Sequence, residues 1–205
     1  MKDINDPAFW KTFSERQMSP VDAVPTHLPG LNALCRDDGG GKGFARGWFV
    51  TLAGNPGFGK SAMALNLASM AQKFGESVGY ISLEMSATQL AARFYSIHSG
   101  TPIAKLERGG FSMDAWRGTM AHLNRMPSLW VPGEVSTDWE SVVAFVKDCH
   151  DKGCRWFVLD YLQLVQMGDD EKINRAITQI VTDLRAWAVN SGCTIVCLSQ
   201  FNRTT

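Results

Sequence analysis

The sequence lacks the features that mark several common classes of protein. No apolar run approaches the ~18 residues that a membrane span needs. The first residues, MKDINDPAFWK, hold no apolar signal-peptide core, so a cytoplasmic address is the expectation. There is no excess of charge: 20 Lys and Arg balance 20 Asp and Glu. The chain-wide sum therefore does not mark a polyanion binder, although a local basic surface is compatible with it. The cysteines, Cys35, Cys149, Cys154, Cys193 and Cys197, are odd in number, and neither the 149/154 nor the 193/197 spacing is a CxxC. That pattern excludes a disulfide scaffold and argues against a zinc site. Cys193 and Cys197, in or beside the apolar run TIVCLSQ, read as small buried residues. His27, His98, His122 and His150 show no HExxH spacing and read as ordinary scattered histidines. No internal repeat of fixed period is present. What remains is a chain of 205 residues, 45% hydrophobic and 20% charged, which fits one globular domain with a short arm.

Residues 1–24 read as the arm. Asp6-Pro7 is an N-cap followed by proline at the first helical position, and Phe9, Trp10 and Phe13 then line one face of a short helix. Such an arm cannot form a core alone; it packs either on its own domain or on a neighbouring subunit. The domain itself spans residues 25–205. From Pro25 to Gly47 it reads as loop, and the glycine cluster in DDGGGKGFARG reads as a flexible turn, since no strand precedes it.

A strict alternation of strands and helices follows. Strands are predicted at Trp48–Ala53, Val78–Leu83, Leu129–Val131, Trp156–Asp160 and Thr194–Ser199. Helices are predicted over Lys60–Phe74, Ala87–Ser99, Ile103–Glu107, Met113–Arg125, Trp139–Cys149 and Glu171–Asn190. Near-continuous apolar strands between amphipathic helices imply an α/β fold, a parallel sheet covered by helices on both faces.

The strongest chemical signal is GNPGFGKS, formed by Gly54, Asn55, Pro56, Gly57, Phe58, Gly59, Lys60 and Ser61. It satisfies G-x-x-x-x-G-K-[ST], the Walker A pattern of a P-loop NTPase, between an apolar strand and an amphipathic helix, as the motif demands. Small residues let the backbone curl so that several N–H groups aim at one anion, and the helix N-terminus adds its partial positive charge. Lys60 is placed to reach the outer phosphates of a nucleotide, and the Ser61 hydroxyl to ligate Mg²⁺. ATP and Mg²⁺ are therefore the expected ligands. A site of this kind needs a second carboxylate for Mg²⁺ and a group that activates water. Asp160 ends the strand WFVLD at the sheet edge where ligands bind, and is assigned to Mg²⁺, with capping of the following turn as the plainer role. Glu84 ends VGYISL in the same manner; it either polarises a water or helps the helix that starts near Ser86. Gln200 closes the last strand, where an amide could sense the outer phosphate; spacing alone supports this weakly.

Taken together, GNPGFGKS, SLEMS (82–86), LDYLQL (159–164) and LSQFNR (198–203) resemble the RecA-like ATPase domain of DnaB-family replicative DNA helicases, and PTHLPGLNAL resembles the segment leading into it. The likeness runs from Pro25 to Arg203 in the family's order. It implies that Lys60 and Ser61 hold phosphate and Mg²⁺, that Glu84 is the catalytic glutamate, that Asp160 is the Walker B aspartate and that Gln200 is the sensor of nucleotide state. It places a DNA-facing loop at 166–175, with Lys172, Asn174, Arg175 and Arg203 as candidate contacts to single-stranded DNA. The plain alternative for the loop is a solvated turn, since Asp169, Asp170 and Glu171 lie in it.

The resemblance also implies a homo-oligomeric, hexameric ring in bacterial or phage replication. The arm would hook onto the next protomer, and primase or a helicase loader would be possible partners. Members of the family have a separate N-terminal domain and continue past SQxNR with an arginine finger, a second DNA loop and further strands. This chain stops at Thr205. Weak hydrolysis by the isolated chain is therefore the expectation, since losing a finger can cost ~10³ in rate. An unpaired sheet edge is expected too. The alternatives are a recombination- or clock-type ATPase that does not unwind DNA, and a truncated ring subunit that dampens activity.

Overall fold

The structure, a computed structural model, describes residues 6–8, 10–11, 23–35, 43–110, 112–166 and 173–201, the side chains of Ile173 and Asn174 excepted. Its centre is a five-stranded parallel sheet. The strands are β3 (Phe49–Gly54), β4 (Val78–Ser82), β5 (Leu129–Trp130), β6 (Trp156–Asp160) and β7 (Thr194–Gln200). They stand in the order β3-β7-β6-β4-β5, every neighbouring pair parallel. Parallel neighbours need crossovers, and α2 (Lys60–Lys73), α3 (Ala87–Ser99), α4 (Ile103–Glu107), α5 (Met113–Leu123), α6 (Trp139–Asp151) and α7 (Ile173–Ser191) supply them. Alternate residues of the strands enter opposite cores. Tyr80, Trp156, Val158, Val196 and Leu198 pack with Leu65, Leu67 and Ala68 of α2 and Leu90 of α3. Ile81, Phe157, Leu159 and Ile195 pack with Val142, Val146 and Cys149 of α6 and Ile180 and Leu184 of α7. A fully buried side chain of this size contributes about 1.5–3 kcal/mol. The sheet is thus covered on both faces, as the apolar runs predict.

Helix starts follow from local chemistry. Ser86 and Gln89 form a reciprocal capping box on α3, while Ser112 and Asp138 accept bonds from Ala115 and Ser141 to cap α5 and α6. Several boundaries differ from the sequence expectation. Phe74, placed by periodicity on the apolar face of its helix, is 54% exposed, because α2 ends at Lys73 and Phe74 only caps it. The helix from Met113 ends at Leu123 rather than Arg125, and α6 runs on to Asp151.

The stretch read as loop from Pro25 to Gly47 holds order that periodicity does not show. Pro29 opens a short helix, α1 (Pro29–Leu34), and Thr26 and Asn32 bond one another through side chain and backbone. Two-residue strands β1 (Ala23–Val24), at the end of the segment read as the arm, and β2 (Phe44–Ala45) pair antiparallel, and the Thr194 hydroxyl donates to the Ala45 carbonyl at 3.0 Å. Phe44 stacks on Trp156 with centroids 6.0 Å apart. These elements are too short to carry a period, and they form because they close over one end of the core.

Candidate functional site

The phosphate loop joins the end of β3 to the start of α2. Gly57 and Gly59 have φ of +78° and +80°, left-handed values that glycine adopts without penalty. A Cβ at either would meet no atom within 4 Å, so the demand on these positions is torsional, and the space over the loop is open. The first turn of α2 has neither a side-chain cap nor an acidic residue. Its unsatisfied N–H groups and dipole are therefore available to an anion. The Lys60 ammonium folds back over the loop and donates to the carbonyls of Gly54 and Asn55, each at 2.9 Å. Phe58, at the loop tip, is 80% exposed.

Asp160, the last residue of β6, lies on the α2 face of the sheet and is 2% exposed. The Tyr80 hydroxyl donates to its Oδ2 at 3.0 Å. Burial raises its pKa above the usual carboxylate range; hydrogen bonds from Ser61 and Tyr80 and the charge of Lys60 oppose the rise, and Glu84 adds to it. Those causes place Ser61, Lys60 and Glu84 around one carboxylate. An acidic oxygen beside a Ser hydroxyl is the hard donor set that suits Mg²⁺.

Glu84 does not end the strand as the sequence reading has it. β4 stops at Ser82, and Glu84 stands in the turn beyond, solvent-exposed. The turn is held on either side of it: the Leu83 amide donates to the Asp160 carbonyl at 2.8 Å, and the Met85 amide to the Ser82 hydroxyl at 3.0 Å. Since Ser86 and Gln89 complete the cap of α3, the alternative of Glu84 as a capping residue is not what the structure shows.

Gln200 ends β7 and is paired in register with Gly54, so the last strand delivers its polar tip beside the phosphate loop. Gln163, in the 3₁₀ turn Leu162–Leu164 after β6, grips that tip. Its amide nitrogen donates to the Ser199 hydroxyl at 2.8 Å and the Gln200 carbonyl at 3.0 Å, and its oxygen accepts from the Gln200 amide at 3.2 Å. Phosphate loop, buried carboxylate, exposed glutamate and clamped glutamine thus meet at the carboxyl ends of adjacent parallel strands, where α/β sheets bind ligands.

Residues 24–205 match the family model of the DnaB-like helicase C-terminal domain. The chain belongs to that family. It is 31% identical over 195 residues to a probable plasmid replicative DNA helicase of Chlamydia psittaci, covering 93% of this chain and 41% of that protein. It is 34% identical over 194 residues to the replicative DNA helicase DnaB of Geobacillus stearothermophilus, covering 90% of this chain and 40% of that protein. The chain thus spans about two fifths of the length of the curated relatives it matches. Among solved structures, the ATPase domain of G40P superposes with a TM-score of 0.76 at 22% identity, over 98% of this chain and 73% of that one. A KaiC-like protein of Pyrococcus horikoshii, PH0186, gives 0.59 at 20% identity, over 89% and 73%. These likenesses confirm the RecA-like fold.

Within this DnaB-like domain the other expected residues are spread more widely. Arg175 is exposed in the first turns of α7, whereas Lys172, Arg203 and the side chain of Asn174 lie outside the described residues, as do Phe9 and Phe13 of the arm. Gln166, at the base of the expected DNA-facing loop, is pinned to the start of α6: its amide donates to the Thr137 carbonyl at 2.7 Å and its carbonyl accepts from Trp139 at 3.0 Å. Cys193 and Cys197 are fully buried, as their apolar run predicts. Among the described residues no group of three or more His, Cys, Asp or Glu could hold a metal ion, and no helix is long and apolar enough to cross a membrane. Sequence reasoning missed Tyr80 and Gln163. The first looks like one more core residue of VGYIS, and the second lies within LDYLQL without a role of its own.

Proposed function

We propose that this chain is the motor part of a cytoplasmic replicative helicase, coupling hydrolysis of Mg·ATP to movement along single-stranded DNA within a hexameric ring. The observation that carries the reading is the convergence of the Walker A loop, Asp160, Glu84 and Gln200 on one end of the sheet, in a chain of the DnaB-like family. The loop amides and the α2 N-terminus take the phosphates, and Lys60 leaves its carbonyl partners for the outer phosphate oxygens. Ser61 and Asp160 would hold Mg²⁺, which when bound neutralises charge that develops on the transferred phosphoryl group. Glu84, exposed on an anchored turn, accepts a proton from the attacking water. Gln200 reads the outer phosphate, and Gln163 ties its backbone to the turn that leads toward the DNA-facing loop. Arg175 stands at the far side of that loop as a DNA phosphate contact.

Two supports bear on assembly. An apolar groove of about 510 Å³ runs between α3, α4, α5 and β5, lined by Leu90, Phe94, Tyr95, Trp116, Met120 and Leu123. The arm carries Trp10, 51% exposed, beside a helical turn. We read the groove as the seat of a neighbouring protomer's arm. Primase and a loader are proposed partners; the interaction with primase is known for a DnaB-like replicative helicase of the same fold. The charge of Lys60 reaches Asp160. Hydrolysis by the chain alone is proposed to be slow, with a second cation supplied by a neighbouring protomer. Titration calorimetry with Mg·ATPγS tests the site: wild type binds, and Lys60→Ala loses at least tenfold in affinity. Unchanged binding by the variant would refute the assignment.

A further inference from the structure

We propose that Tyr80 is a positioning residue for the metal-binding carboxylate: its hydroxyl fixes the orientation in which Asp160 meets Mg²⁺. The inference rests on the assignment of Asp160 to Mg²⁺ in the proposed function.

The register makes the contact possible. Tyr80 lies opposite Val158, and Ser82 opposite Asp160. Tyr80 and Asp160 therefore occupy the same face of neighbouring strands, offset by two residues, or roughly 6.6 Å of strand rise. A tyrosine ring spans that offset. Tyr80 is completely buried and Asp160 2% exposed, so neither group is hydrogen-bonded by bulk water. The ring fills the core between α2 and the sheet, a task phenylalanine would do equally well. The hydroxyl is thus the part of this side chain that the core does not require. A buried phenol needs a partner, and this one donates to Oδ2 of Asp160 at 3.0 Å.

The consequence is geometric. A carboxylate at a strand end is free to turn about its last torsion, which is broad and soft. A fixed donor on one oxygen removes that freedom, so the carboxylate presents one face to the phosphate loop before any ligand arrives. Partners of this kind, one bond removed from the metal, typically contribute about 10- to 100-fold in metal affinity or activity.

The test uses the full chain and reads binding, not turnover. The affinity for a fluorescent ADP is measured in EDTA and then across a Mg²⁺ titration, for wild type, Tyr80→Phe and Asp160→Ala, with thermal melts as a check of folding. We expect Tyr80→Phe to bind the nucleotide in EDTA as wild type does, while the Mg²⁺ concentration for half-maximal enhancement rises about tenfold. A loss of packing alone would move the melt without moving that midpoint. A wild-type midpoint in Tyr80→Phe, with Asp160→Ala shifted, would overturn the role of Tyr80 alone. A wild-type Mg²⁺ response in Asp160→Ala would overturn the assignment of Asp160, and the proposal with it. Should Tyr80→Phe fail to fold, Tyr80→Met fills the space without a hydroxyl and gives the same reading.

Discussion

Asp160 is 2% exposed, and the Mg²⁺-binding role proposed for it requires the ionised form. Its raised pKa means that the folded state favours the protonated acid more than the unfolded state does. The stability tied to that preference is present at low pH and lost as pH rises through the raised value, so the carboxylate costs stability once it ionises. Asp160→Asn is expected to melt higher than wild type near pH 7, by about 2–4 °C for each ~1 kcal/mol released, while losing Mg²⁺-dependent nucleotide affinity. Calorimetric melts at pH 7 and pH 4 check this, and the gap between the two proteins should narrow at the lower pH. At this scale the sequence is legible where residue type and spacing form a local pattern, as in Gly57, Gly59 and Lys60 of the phosphate loop and Asp160 at a strand end. It is silent where a side chain serves another that is remote in the chain. Tyr80 and its carboxylate are 80 positions apart, and Gln163 and Ser199 are 36 apart. No local pattern marks either pair.

The helices behind the site meet at a titratable junction. His98, in the last turn of α3, lies 3.2 Å from the Ser69 hydroxyl of α2, and its ring is 5.4 Å from that of His122 in the last turn of α5. Burial, then the charges of His122 and Lys73, lower its pKa to about 4. The unfolded chain therefore binds a proton between pH 6.5 and about 4 that the folded chain refuses. Stability should fall with pH across that window, by about 2 kcal/mol once partial exposure is allowed for. His98→Asn is expected to flatten the slope in urea denaturation from pH 7 to pH 4.5; an unchanged slope would place the acid sensitivity elsewhere. Elements long enough to show a period, such as α3, α6 and α7, stand close to their predicted places. Their ends move because caps decide them: the boxed Ser86 and the left-handed Gly100 bound α3 at the predicted residues, whereas α2 stops short of Phe74. β1 and β2 were not legible, since two residues carry no alternation and their pairing depends on Trp156 and Thr194 far along the chain.

For the whole molecule, zero net charge conceals an uneven surface, with an apolar groove on one flank and a phosphate loop at one end of the sheet. If the arm of one copy fills the groove of the next, Trp10→Ala and Leu123→Glu should each shift the protein toward monomer in analytical ultracentrifugation. A mixture of the two variants should not restore long assemblies. Oligomers that persist in both variants would assign the groove to another partner. The layered architecture was readable from alternation alone, but the strand order was not, because periodicity names elements without naming neighbours. That order has a consequence in time. Among the described residues β3 pairs with β7 and no other strand, and Gly54 is matched to Gln200. During synthesis, at about 5–20 residues per second, the Walker A loop is thus made early but has no strand beside it until the segment around residue 200 emerges. Nascent chains stalled before Thr194 should ignore nucleotide however long they wait, because the phosphate loop gains its neighbouring strand only when β7 is made.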